Sequence, residues 1–284
     1  MHKKPWHKKG QVLIDEISAS SAASGEALIW FLGQSGFVIK LLNKIIYIDA
    51  ILHEWQDSSG AARLLDPPFL PAHPVDADIF ACTHDHSDHL NIETLLPQAK
   101  GNKNTLFLVP APITSKLIAA GIPSERIIAA REDEKIRLGE LEIQSVAAAH
   151  KEYCTDETGA DYALGYIFSS GGVNIYHAGD TFVTGRLLDR LRLAAPINIA
   201  ILPVNGGDWE REAKGIIGNM SAEDAAKLVR ALNIELTIPA HFDFLEGNTA
   251  APARIIDAFS TIAPEHKCHI LALGERFIYR LPPR

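Results

Sequence analysis

Cysteine is scarce: Cys82, Cys154 and Cys268 are the only thiols in 284 residues. Three thiols cannot build the disulfide framework of a small secreted domain. No apolar run approaches about 18 uninterrupted residues, which excludes a membrane-spanning helix. Lys and Arg do not cluster beyond residue 9, and the net charge is −8. Nucleic-acid binding normally shows a basic face, so this balance argues against a nuclease and no nucleic-acid partner is expected. No internal stretch is rich in Pro, Gly and Ser together, and one domain over residues 1–284 is expected. The start, Met1-His2-Lys3-Lys4-Pro5-Trp6-His7-Lys8-Lys9, is basic with no apolar h-region behind it. A signal peptide is therefore not expected, residues 1–10 read as a flexible tail, and the expected location is cytoplasmic.

What the chain does have is apolar material: 47% of its residues are hydrophobic, enough for one large core. Apolar runs of four to eight residues predict strands over 27–32, 37–41, 44–49, 79–82, 105–109, 140–147, 163–168, 173–177, 197–202, 236–238 and 277–281. Helical spacing predicts helices over 92–98, 111–120, 185–194, 221–232 and 251–262. The fourth is the best marked, with Ser221 as its cap, Glu223 and Asp224 in the first turn, and Ala225, Ala226, Leu228, Val229 and Leu232 as an inward stripe. Strands first and strand–helix alternation later suggest an α/β protein with layered sheets.

Chemistry concentrates in one place. The run Thr83-His84-Asp85-His86-Ser87-Asp88-His89 follows the apolar stretch 78–82. Extended residues two apart project to the same side, so His84 and His86 can grip one metal. Asp88 and His89, on the turn that follows, can reach a second. Imidazole and carboxylate together suit Zn, Mn or Fe. A solvated polar turn is the bland alternative, and four potential ligands in six residues outweigh it.

This tetrad resembles the signature of the metallo-β-lactamase superfamily, and further pieces stand in the family's order. His150 closes the strand 140–147 region, Asp180 lies in His177-Ala178-Gly179-Asp180-Thr181, and His241 lies in Pro239-Ala240-His241-Phe242-Asp243. Upstream, Ile46-Tyr47-Ile48-Asp49 resembles the family's early strand ending in Asp. Within the superfamily, Trp30-Phe31-Leu32-Gly33-Gln34-Ser35-Gly36-Phe37, Tyr176-His177-Ala178-Gly179-Asp180-Thr181 and Asn219-Met220-Ser221-Ala222-Glu223-Asp224 are most similar to the L-ascorbate-6-phosphate lactonase group. The chain reads as shorter than that group ahead of the tetrad, so no substrate contacts are carried over from there.

The resemblance implies an αβ/βα four-layer sandwich with metals at one edge. It also implies two divalent ions, Mn or Zn with Fe as a further option. His84, His86 and His150 would take one, and Asp88, His89 and His241 the other, with Asp180 bridging. The implied activity is a hydrolase using a metal-bound hydroxide, opening a lactone such as L-ascorbate 6-phosphate. Asp88 and Asp180 are the implied catalytic carboxylates. Asp49 and His177 are expected behind the ligands, orienting them. The loop 205–219 is long, carries glycines and Trp209, and suits a wall of the site. Arg211 and Lys214 on it are candidates to pair with a substrate phosphate, with Lys151 and Tyr153 as similar guesses.

The rival within hydrolysis is a phosphodiesterase of the same superfamily, which would use the same ligands. A non-catalytic protein with a structural metal centre is the alternative of a different class. His86 stands where oxygen reductases of this fold resemble a Glu-containing variant, which argues against redox chemistry. The partner expected is a small molecule, with no membrane surface and a homo-oligomer left open. His53, His73, His266 and His269 lack ligand spacing and read as ordinary. Gly33-Gln34-Ser35-Gly36 reads as a hairpin turn, not a phosphate loop, because no helix follows it.

Overall fold

The computed structural model describes residues 3–54, 63–69, 75–194 and 196–282. In chain order, α1 (Gln11–Ala19) precedes β1 (Glu26–Gly33), β2 (Gly36–Leu41), β3 (Lys44–Ile48) and β4 (Ile79–Ala81). Then come α2 (Ile92–Gly101), β5 (Leu106–Pro110), α3 (Thr114–Ala119) and β6 (Ile127–Ala130). The second half runs β7 (Lys135–Leu138), β8 (Leu141–Ala147), β9 (Leu164–Ser170), β10 (Val173–His177), α4 (Gly185–Leu193) and β11 (Ile199–Pro203). It ends with α5 (Trp209–Ala213), α6 (Ala222–Leu232), β12 (Leu236–Ala240), α7 (Pro252–Ile262), β13 (Lys267–Cys268) and β14 (Arg276–Arg280).

Two seven-stranded sheets result, ordered β14-β1-β2-β3-β4-β5-β6 and β13-β12-β11-β10-β9-β8-β7. Strand β1 shows how they stack. Ala27, Ile29 and Phe31 join a core shared with the second sheet and with α4, α6 and α7. The alternate residues Leu28, Trp30 and Leu32 join a separate core with α1, α2 and α3. A strand buried on both faces lies between a helix layer and another sheet. The order is thus helices, sheet, sheet, helices: the expected four-layer sandwich.

Residues 3–10, read as a tail, hydrogen-bond to the body: Lys4 N to Leu64 O (3.0 Å), His7 N to Leu273 O (2.8 Å) and Gly10 N to Pro68 O (2.7 Å). Trp6 packs against both cores, while Met1 and His2 lie outside the described residues. Helix α1, which the sequence reading did not pick out, buries Leu13 and Ile17. Its last carbonyls receive Lys40 Nζ, from Ile17 O at 2.9 Å, an interior cation satisfied by helix-end acceptors. Strands β6, β7 and β13 and helix α5 are likewise additions to the expected elements. As expected, Ser221 caps α6, accepting from Asp224 N.

What positions a site is the polarity of the strands. β3–β6 and β10–β13 run parallel within their sheets. Their carboxyl ends open together at one edge, where loops from both sheets meet.

Candidate metal centre

Loops at that edge carry the residues singled out by sequence. Asp49 follows β3, His84 to His89 follow β4, His150 follows β8, His177 ends β10 with Asp180 after it, and His241 follows β12. Donor atoms of His84, His86 and His150 lie within 4.8 Å of one another, as do those of Asp88, His89 and His241. His84, His89 and Asp180 form a third such trio, which places Asp180 between the other two. Its Oδ1 is 3.4 Å from His89 Nε2 and its Oδ2 is 3.2 Å from His241 Nε2. All seven residues proposed from the sequence are therefore brought together.

The donors fit a cation by two observations. Donor atoms around one tetrahedral ion at about 2.1 Å lie roughly 3.4 Å apart. Here Asp88 Oδ2 is 3.7 Å from both His89 Nε2 and His241 Nε2, and His150 Nε2 is 3.1 Å from His86 Nδ1. In addition, His84 Nε2, His89 Nε2 and Asp180 Oδ1 are buried without a hydrogen-bond partner among the described residues. Buried polar atoms without partners are costly, so their convergence on one point asks for a shared ligand.

Electrostatics divides the trios. Burial pulls His84 well below the ordinary histidine range and His150 down to about 4, so both offer neutral lone pairs. Burial also opposes charge at His241, but Asp180 and Asp88 outweigh it and push the imidazole up to about 9. His89 is raised well above its ordinary value in the same way, by Asp180, Asp49 and Asp88. Against their own burial, Asp88 and Asp180 are held ionised by His89 and His241. This side of the centre is a cage of mutually charged groups; on the other, His84 and His150 are neutral imidazoles.

The second layer is built as firmly. Asp49, fully buried and in the left-handed region at φ 47°, accepts from Thr83 N at Oδ1 (2.8 Å). Its Oδ2 accepts from Thr83 Oγ1 (2.7 Å) and lies 2.7 Å from His89 Nδ1. That contact turns His89 Nε2 toward the other donors. His177 joins no trio. Its Nδ1 accepts from Gly179 N (3.2 Å), so its Nε2 donates to Ser35 O (2.9 Å), and the ring braces the Gly179-Asp180 turn. Gly179 has φ 60°, and a Cβ there would lie 2.7 Å from Thr83 Cβ. Thr181 accepts from Ala149 N (3.0 Å) through Oγ1, tying the Asp180 loop to that of His150. Sequence reading missed Thr83, Thr181 and Gln34; only the Gly-Asp-Thr and Thr-His spacing hinted at the first two.

A cavity of about 310 Å³ opens over these residues, lined by His86, Asp88, His150, Asp180 and His241 and walled by Lys214, Ile216 and Ile217. Lys214 at this wall donates through Nζ to Glu210 Oε1 at 3.0 Å. Arg211 does not line this cavity: its guanidinium binds Asp208 Oδ2 (2.6 Å), Asn205 O (3.0 Å) and Asn248 Oδ1 (3.2 Å), bracing the loop. Tyr153 is turned to Thr184 Oγ1 (2.6 Å), and Lys151 faces Glu212 at 3.6 Å. Of the ordinary histidines, His53 pairs with Glu93, His266 with Ile234 O and His269 with Glu275; His73 lies outside the described residues.

Residues 44–242 match the family model described as a β-lactamase superfamily domain. A probable L-ascorbate-6-phosphate lactonase of Shigella boydii is 24% identical over 281 residues, covering 87% of this chain and 78% of that protein. Among solved structures, an isothiocyanate hydrolase from Delia radicum gut bacteria gives a TM-score of 0.70 at 19% identity. That match covers 89% of this chain and 100% of the other. A metallo hydrolase from the archaeon Ignicoccus hospitalis gives 0.68 at 20% identity, over 90% of this chain and 100% of the other. These structures share the fold. With the family model spanning every member of both trios, the chain belongs to the metallo-β-lactamase superfamily, as a metal-dependent hydrolase.

Proposed function

We propose that this hydrolase opens a small lactone, L-ascorbate 6-phosphate being the named candidate, with His84, His86 and His150 holding one divalent ion and Asp88, His89 and His241 a second. Asp180 would lie between the two. Mn or Zn suits the donor set, and Fe is compatible with it. When bound, such ions lower the pKa of water toward 7 and polarise the oxygen of the scissile group. The protein's own residues do the rest. The cavity of about 310 Å³ suits a substrate of sugar size. Lys214 at its wall attracts an anionic substituent. Asp88, facing the cavity, orients the attacking water. Asp180, which lines the cavity, relays the water's proton to the departing ring oxygen. Water's oxygen bonds to the carbonyl carbon, the carbon–ring-oxygen bond breaks, and a hydroxy acid leaves.

The observation that carries this reading is the clustering of seven His and Asp donors, five of which line one small cavity with Lys214 at its wall. The test is hydrolysis by Mn- or Zn-reconstituted protein of L-ascorbate 6-phosphate and of a generic phosphodiester, in parallel, with His86→Ala as control. Lactone opening lost in the variant is expected. Phosphodiester cleavage beside an intact lactone would move the substrate to phosphodiesters and leave the metal centre standing.

A further inference from the structure

The turn Gly33-Gln34-Ser35-Gly36 places one side chain inside the metal centre. Gln34 is fully buried, with φ 56°. Its main chain is committed to the loop after β12: its carbonyl accepts from His241 N (2.7 Å) and its N–H donates to Asp243 Oδ1 (3.1 Å). The carboxamide does something different. Its Nε2 donates to Asp88 Oδ2 at 2.8 Å and lies 3.0 Å from His241 Nε2. Its Oε1 is buried with no partner.

One amide nitrogen therefore rests on two of the three donors of the Asp88–His89–His241 trio. An ion shared by Asp88 Oδ2 and His241 Nε2, which stand 3.7 Å apart, must approach both, and the amide nitrogen already lies within 3.0 Å of each. The other trio carries no such intruder. The close contact there, His150 to His86, is between two ligands, and Thr83 Oγ1 approaches His84 at Nδ1 while Nε2 stays unpaired.

We propose that Gln34 plugs the Asp88–His89–His241 position: its carboxamide holds those donors in the metal-free protein, and an ion enters only by displacing it. The inference rests on the reading of the two trios as metal sites. It makes loading sequential, with the His84–His86–His150 position filling first and the second ion binding more weakly. A hydrogen bond to a carboxylate must be given up for the second step, which weakens that step by about tenfold or more. The two main-chain bonds of Gln34 survive any substitution, so removing the carboxamide leaves the loop of His241 pinned.

The experiment is calorimetric titration of metal-stripped protein with Mn, with bound metal counted by atomic emission. Wild type should load in two steps. In Gln34→Ala the second step should tighten by about tenfold while the first is unchanged. Gln34→Met keeps the length without the N–H donors, and its thioether does not suit Mn, so it should reproduce the effect if the alanine variant folds poorly. A second step unchanged in both variants overturns the plug. A second step weakened in both also overturns it, because the carboxamide then helps to hold the ion. Wild-type protein that takes up no Mn at all would fail earlier, at the metal-centre reading itself.

Discussion

Both carboxylate oxygens of Asp49 face donors, Thr83 N at one and Thr83 Oγ1 and His89 Nδ1 at the other. Whichever way an asparagine amide turned in this place, its NH2 would meet a donor. Asp49→Asn should therefore loosen His89 and lower metal affinity about 10- to 100-fold, the scale of such supporting carboxylates. Competition with a chromogenic chelator reads this directly, and unchanged affinity would remove Asp49 from the centre. Protons compete at the same scale. In the metal-free protein His241 titrates at about 9, so below that pH an entering ion must expel a proton. Uptake at the Asp88–His89–His241 position should tighten as pH rises from about 6 and level off above about 9. At the other position His84 and His150 carry no proton over that window and impose no such cost. Metal titrations across the range decide it, and equal slopes at both positions would refute the division. The seven donors were legible because His and Asp crowd at strand ends in a recognisable order. Gln34 was not, since an amide in a Gly-Gln-Ser-Gly turn looks like any hairpin.

At the scale of elements, the strands that bear the site were readable and several supporting pieces were not. The run before β4 and the capped start of α6 announce themselves by apolar runs and by Ser221. Helix α1 hides because only Leu13 and Ile17 anchor it, behind a basic stretch that resembles a solvated tail. Helix α5 is five residues, Trp-Glu-Arg-Glu-Ala, none buried, so no periodicity marks it. The turn after β10 is where an element's end becomes chemistry. Gly179→Ala would drive a methyl into Thr83 and strain a left-handed residue, for a loss of about 2–4 kcal/mol. Gly121 also has positive φ, at 91°, but nothing lies within 4 Å of an added Cβ. Gly121→Ala should cost only the backbone penalty, about 1–2 kcal/mol. Denaturant midpoints of the two variants should separate accordingly. Equal losses would mean that the Gly179–Thr83 contact is not tight.

For the whole molecule, strands buried on both faces show no alternation, so the layer order was not readable from periodicity and came from the family resemblance. That layering has a consequence for stability. Asp49 and His84 to His89 hang from the first sheet, while His150, Asp180 and His241 hang from the second. Each trio draws members from both, so an ion would tie the sheets together at the edge where the parallel strands end. Without it, Asp88, Asp180, His89 and His241 must balance charges in the interior, and His84 Nε2 and His89 Nε2 lack partners. An ion present at about 100 times its dissociation constant adds about 2.7 kcal/mol to the folded state. For a chain of this size that is a rise in melting temperature of roughly 5–10 °C. Metal-stripped protein should melt lower by that amount, and Mn or Zn should restore it in a concentration-dependent way. His150→Ala removes a donor of the second sheet from a trio that the first sheet otherwise supplies, and should blunt the metal-induced rise more than it lowers the metal-free melting point. A melting temperature insensitive to metal would mean that the two sheets do not share an ion.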